Sequence, residues 1–204
     1  MAIATVKNGE SSLSTREQIL SVSTQLFARH GYDRVTMRDI STNVGVTLPT
    51  IYHHFKDKEN LYREVELESY GGMKDRLMSA LEEAETPEMR LRAFIGELFD
   101  ILHENPVFRN LALRNMLDPD HRHHKFLVGV TLQKVYESLV RLLNEFRPGS
   151  GDKTVPMAIV SGIFGFVAME PAKRQLEGYP YTVLSWDKER DEYIEHMVRS
   201  LSRL

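Results

Sequence analysis

Apolar residues recur at i, i+3 and i+4 along almost the whole chain, and period-two alternation is scarce, so the pattern predicts an all-α protein. Helices are expected near residues 15–30, 37–43, 48–54, 58–84, 87–103, 106–117, 122–146, 154–170 and 187–203, about nine in all. Their starts are marked: Thr15 to Gln18 and Thr36 to Asp39 pair a hydroxyl with an acceptor three residues on, as in a capping box. Asp57, Thr86 and Asn105 read as further N-caps, the last two followed by Pro87 and Pro106, where a missing N–H costs nothing. Gly31, Gly45, Pro148-Gly149 and Pro171 mark stops. Gly71-Gly72 falls inside the fourth helix and is expected to weaken or bend it.

Two helical stretches depart from the ordinary one-sided pattern. Val155 to Met169 is apolar nearly all round, which predicts burial on two sides, one against its own domain and one against a partner chain. The last helix has a narrower stripe of Tyr193, Ile194, Met197, Val198 and Leu201. A dimer interface built from Ile159, Gly162, Gly165, Phe166 and Met169 with that stripe is the expectation, a four-helix seam between two subunits. The longest apolar run, about 15 residues, falls short of the ~20 that a bilayer crossing needs.

Charge sharpens the division of the chain. Of 204 residues, 1–58 hold seven Lys/Arg against five Asp/Glu, whereas the rest hold 19 against 24. The front is thus slightly basic within a chain of net charge −3, as an anionic partner at that end would favour. With no Cys there is no disulfide framework, thiolate metal site or cysteine nucleophile, and the cytoplasm is the expected compartment.

In the basic front, Val35, Ile40, Val44, Val46, Ile51 and Phe55 fall where two short helices crossing steeply would share a core, with Gly45 in the turn between them. Each helix is too short to stand alone, so the first helix, through Ile19, Leu20, Val22, Leu26 and Phe27, must complete that core. This is a three-helix DNA-binding unit in outline, placed at residues 15–60 after a tail of 1–14 and before a helical domain of 61–204. Thr47, Thr50, Tyr52 and His53 at the third helix are the candidates for the DNA groove, and Leu48 for a thymine methyl. Tyr52 and His54 can donate to phosphate, flanked by Thr36, Arg38 and Lys58 as positioning contacts.

The run Gly31-Tyr32 through Ile40, then Val44-Gly45-Val46-Thr47, then Ile51-Tyr52-His53-His54-Phe55 through Leu61 resembles the N-terminal domain of the TetR family of bacterial transcriptional regulators. The resemblance implies a homodimer that binds a palindromic double-stranded DNA operator, with a helical second domain that dimerises and takes a small effector. One departure stands out. Leu48-Pro49 replaces the family's polar or basic residue followed by Gly, and Pro49 removes a first-turn N–H that relatives can offer to phosphate.

An effector pocket lined by Met73, Leu77, Phe94, Leu98, Phe99, Leu102, Met116, Phe126 and Val130, with His103, Gln133 and Tyr136 as polar anchors, is expected among the middle helices. The competing reading is a metal-dependent helical enzyme or metal sensor using His121, His123 and His124. Consecutive residues at a loop–helix junction seldom converge on one ion, and a solvated loop is the simpler reading. No nucleophile elbow or Gly-rich phosphate loop is present, so neither enzyme chemistry nor a cofactor is expected.

Overall fold

The computed structural model describes residues 13–117, 129, 132–148, 154–173, 175–178 and 185–203. Its helices are α1 (Thr15–His30), α2 (Met37–Val44), α3 (Leu48–His54), α4 (Lys58–Glu82), α5 (Pro87–Glu104), α6 (Pro106–Leu117), α7 (Gln133–Phe146), α8 (Thr154–Ala168), α9 (Glu170–Lys173) and α10 (Trp186–Leu201). No strand occurs among the described residues. The chain divides into two compact units, one through Val65 and one from Glu66 onward.

Local chemistry accounts for the helix ends. Asp57, Thr86 and Asn105 each accept a backbone N–H three residues on, at 2.8, 3.2 and 2.9 Å, as their spacing predicts. Gly31 and Gly45 close α1 and α2 at φ +82°, a conformation that a side chain opposes. The first capping box lies one residue earlier than expected. Ser14, not Thr15, accepts from Glu17 N–H, and the Glu17 carboxylate accepts from the Ser14 N–H. The additional short helix α9 appears because Pro171 cannot sit inside a continuing helix but fits the first turn of a new one. α4 is helical throughout Gly71-Gly72.

The first unit packs α1 against α2 and α2 against α3. Ile19, Phe27, Ile40, Ile51, Phe55 and Leu61 are sealed from solvent, and Tyr62 meets Phe27 and Tyr32 edge-on with centroids 4.9 Å apart. Arg16 lies 5.2 Å above the Phe55 ring and pairs with Glu64.

In the second unit α5 is the central helix, packing on α6, α7, α8 and α10. One side of α5 joins an aromatic cluster in which Phe99 meets Phe166, Trp186 and Tyr193 at 4.9–5.8 Å. Charged pairs tie α5 to α10: Arg190 Nη1 lies 2.7 and 2.9 Å from the two Asp100 oxygens, and Arg92 donates to Glu195 at 2.6 Å. A buried ion pair links α9 to α10, Lys173 to Glu189 at 3.1 Å, with the Lys173 ammonium 3.6 Å from the Phe166 ring centroid.

Candidate DNA interface and ligand cavity

α3 is seven residues long and only Ile51 within it is buried; Phe55, its C-cap, is the second anchor. Those two hydrophobic pegs leave Tyr52 half exposed and His53 exposed on the opposite side, with the His53 and His54 rings 5.3 Å apart. A short helix held by two apolar anchors and presenting an aromatic hydroxyl and imidazoles outward has a face that core packing does not explain. Ile51 and Phe55 fix its register, and the exposed side chains are free of that task.

The hydroxyls predicted to touch DNA have structural work as well. Thr47 caps α3, accepting from Thr50 N–H at 3.4 Å, and the two hydroxyls lie 2.8 Å apart. Thr36 caps α2, donating to Asp39 Oδ2 at 2.6 Å and accepting from Asp39 N–H at 3.1 Å. These hydrogen bonds hold the Asp39 carboxyl below its ordinary range, and the Ser14 bonds do the same for Glu17. Arg38 is exposed and Leu48 half-buried. Lys58 sets its ammonium 4.1 Å from the Tyr32 ring centroid; burial lowers its pKa, while Asp33 and Asp39 oppose that shift.

The second unit contains a cavity of about 370 Å³. Tyr70, Met73 and Leu77 of α4, Phe94 and Leu98 of α5, Ala112, Asn115 and Met116 of α6, Leu132, Val135, Tyr136 and Leu139 in and beside α7, and Pro156, Met157, Val160 and Phe164 of α8 line it. Of the residues expected around a pocket, Met73, Leu77, Phe94, Leu98, Met116 and Tyr136 are brought together here. Phe99 and Leu102 are not: both are sealed in the core, Phe99 within the aromatic cluster. His103 stacks on Trp186 at 4.0 Å, and Gln133 is exposed and donates to Glu137 at 2.7 Å. Phe126 and Val130, like His121, His123 and His124, lie outside the described residues. Among the described residues no group of three His, Asp or Glu could hold a metal.

The reason for the split lies in the helix. Phe94 and Leu98 are one turn apart and share a side, whereas Phe99 is rotated by about 100° onto the next face. Tyr70, Asn115 and Phe164 are among the liners that sequence reasoning missed, together with Ala112, Val135 and the α8 residues Pro156, Met157 and Val160. A lone Asn in an apolar helix stripe was the available signal for one of them.

The expected dimer residues divide similarly. Ile159, Val198 and Leu201 are buried within the protomer, and Phe166 and Tyr193 pack on each other at 4.9 Å. A methyl group at Gly162 would come within 2.7 Å of the Tyr193 hydroxyl, and one at Gly96 within 3.5 Å of Ile194, so these glycines allow α8 and α5 to approach α10 within one chain. Met197 is half-buried. Gly165 and Met169 are exposed, as are Met157, Ala158, Ser161 and Ala168, which gives α8 a second, uncovered face of small and apolar residues.

The first unit is a helix-turn-helix domain, and the second is a helical bundle enclosing an apolar cavity. Residues 19–65, within the first unit, match the family model "Bacterial regulatory proteins, tetR family". The chain is 32% identical over 114 residues to the HTH-type transcriptional repressor AcnR of Corynebacterium glutamicum, covering 51% of this chain and 59% of that protein. The chain thus spans about three fifths of the length of that curated relative. Solved structures share the fold across nearly the whole chain. The ketosteroid transcriptional regulator KstR2 of Mycobacterium tuberculosis aligns at TM-score 0.73 and 18% identity, over 94% of this chain and 96% of that one. The transcriptional regulator FadR of Bacillus subtilis, solved in complex with stearoyl-CoA, aligns at TM-score 0.70 and 19% identity, over 89% and 97%. No described helix is long and apolar enough to cross a membrane.

Proposed function

We propose that this protein is a ligand-responsive transcriptional repressor that binds a palindromic operator as a homodimer and is released by a small apolar or amphipathic effector. The observation that carries the reading is α3: Ile51 and Phe55 anchor it, and Tyr52 and His53 remain exposed with no packing role. Thr50, Tyr52 and His53 read base edges in the major groove, and Arg38, His54 and Lys58 position the backbone. The uncovered face of α8, with Met157, Gly165 and Met169, is the partner surface. A dimer sets its two reading helices about 34–36 Å apart, one DNA turn, or a multiple of it. The repressor named AcnR supports the sign of regulation. The cavity is the effector site, and the stearoyl-CoA complex of a protein with the same fold supports that use of the bundle.

Ligand acts by binding one arrangement of α4 better than another, since α4 starts at Lys58 and supplies Tyr70, Met73 and Leu77 to the cavity. Selection of bound sequences from random duplex DNA tests the reading. Enrichment of a two-fold symmetric site, lost in a Tyr52→Ala/His53→Ala variant of unchanged melting temperature, is expected. No enriched sequence, or one retained by that variant, would sink it.

A further inference from the structure

Lys58 stands where helix chemistry disfavours it. It is the first residue of α4, so its ammonium meets the positive end of that helix's dipole. The side chain is also half-buried, and burial acts against its charge. Asp33 and Asp39 favour the charged form, although Asp39 Oδ2 already accepts from the Thr36 N–H and hydroxyl at 2.8 and 2.6 Å in the cap of α2. The ammonium rests over the face of Tyr32, 4.1 Å from the ring centroid.

That ring is itself held by the core of the first unit. Phe27 stacks with it at 6.0 Å and Tyr62 meets it edge-on at 4.9 Å, and both of these side chains are sealed from solvent. Tyr32 thus carries the rigidity of a filled core out to a cation at the start of α4. A lysine that swings freely loses its rotamer freedom when it meets an anion, a loss worth roughly two- to tenfold in affinity. A lysine that already rests on a fixed ring has part of that loss behind it. An ammonium has three N–H donors and a ring face engages one side of it, so a phosphate oxygen can be met without leaving the ring.

Building on the reading of the first unit as a DNA-binding domain in which Lys58 meets the phosphate backbone, we infer that Tyr32 is a positioning residue for that contact: its ring holds the Lys58 ammonium in place before DNA arrives, and the phosphate takes the outer side of the ammonium. Tyr32 acts through the negative face of its ring and not through its hydroxyl. Its contribution is to affinity for any sequence, because a phosphate carries no base identity.

A fluorescein-labelled duplex of about 30 base pairs and one arbitrary sequence is a sufficient probe, since backbone contacts operate on any DNA. Its dissociation constant for the full-length protein is read by fluorescence anisotropy over a series of salt concentrations. Lys58→Met should weaken binding at low salt and reduce the salt slope by about one for each protomer bound. Tyr32→Phe should bind within twofold of the parent. Tyr32→Leu should bind at least threefold more weakly, and the same change should add no further loss in the Lys58→Met background. Because Tyr32→Leu also loosens the packing on Phe27 and Tyr62, a second variant carries 3,4,5-trifluorophenylalanine in place of Tyr32, which keeps the ring and removes the negative charge of its face. It should bind at least threefold more weakly than Tyr32→Phe at an unchanged melting temperature. A fluorinated ring that binds as Tyr32→Phe does, or a Tyr32→Leu loss of equal size with and without Lys58, overturns the positioning role while DNA binding stands. A Lys58→Met variant with the affinity and salt slope of the parent overturns the phosphate contact, and the inference with it. A parent protein that shows no salt-dependent binding of the duplex overturns instead the reading of the first unit as a DNA-binding domain.

Discussion

In the first unit, Phe27, Tyr62, Ile51 and Phe55 close a small core completely, and the residues with a proposed role, Tyr52 and His53, project away from it. In the second, Phe94, Leu98, Leu139 and Phe164 are equally buried yet surround empty space. The contrast is between recognition by what protrudes from a filled core and recognition by what a core leaves out. In the first case a functional side chain can change without touching stability. In the second, stability and recognition share the same side chains, so a substitution that improves packing removes function.

The largest effect should come from breaking the filled core. Phe55→Ala opens space beneath Arg16 and removes one of the two pegs of α3, at a cost of about 3–5 kcal/mol. Chemical denaturation should record that loss, and operator binding should vanish with it. A variant that still binds DNA at wild-type affinity would show that the register of α3 does not depend on this ring.

One substitution made in both units sharpens the contrast most directly. Ala28 and Ala112 are 4% and 2% exposed, one in the filled core and one on the cavity wall. Ala28→Leu should destabilise by about 1–3 kcal/mol through overpacking. Ala112→Leu should be neutral or stabilising, because its methyl groups enter empty space, and should weaken ligand binding at least tenfold. Equal melting-temperature losses in the two variants would erase the distinction between the units.

Gly71 and Gly72 give a smaller effect, since a methyl group at either position meets nothing within 4 Å. The double Ala variant should gain about 1–2 kcal/mol from helix propensity. If α4 carries the ligand signal, the same variant should change the ratio of operator affinities with and without ligand more than the ligand-free affinity itself. An unchanged ratio measured by fluorescence anisotropy would exclude these glycines from the coupling.

The smallest effect concerns acid. Glu17 and Asp39 have lowered folded pKa values, so their capping contributes stability that is present at neutral pH and lost as pH falls. The loss begins below the ordinary values of 4.5 and 3.8 and is complete once pH passes the lower folded ones. Asp39→Asn should flatten part of that acid dependence, read by circular dichroism of a fragment-free, full-length sample.

How far the sequence reaches differs between the units for the same physical reason. Turn glycines, caps and the spacing from Val35 to Phe55 are local signals, and each has one steric or hydrogen-bonding cause, so helices α1 to α3 were legible. A cavity is a deficit of contacts between helices far apart in sequence. Phe94 and Phe99 look alike in the chain, and only the neighbours that each helix face meets separate the cavity wall from the aromatic cluster. The same holds for Gly162, which reads as a surface for a partner and serves the approach of α10. Ser14 against Thr15 was a matter of one residue of register, which periodicity does not resolve.

The Lys173–Glu189 pair has a consequence for how this chain can change over generations. Both side chains are less than a tenth exposed, and removing one member of a buried ion pair generally costs about 3–5 kcal/mol, a large share of a domain's stability. Replacing both by apolar residues of similar volume is often neutral. The two codons therefore behave as one heritable unit: the paths between charged and apolar versions pass through intermediates selected against, and drift at position 173 is conditional on the state of position 189. Libraries that randomise one of them alone will recover the parent residue, whereas libraries that vary both together will find alternatives.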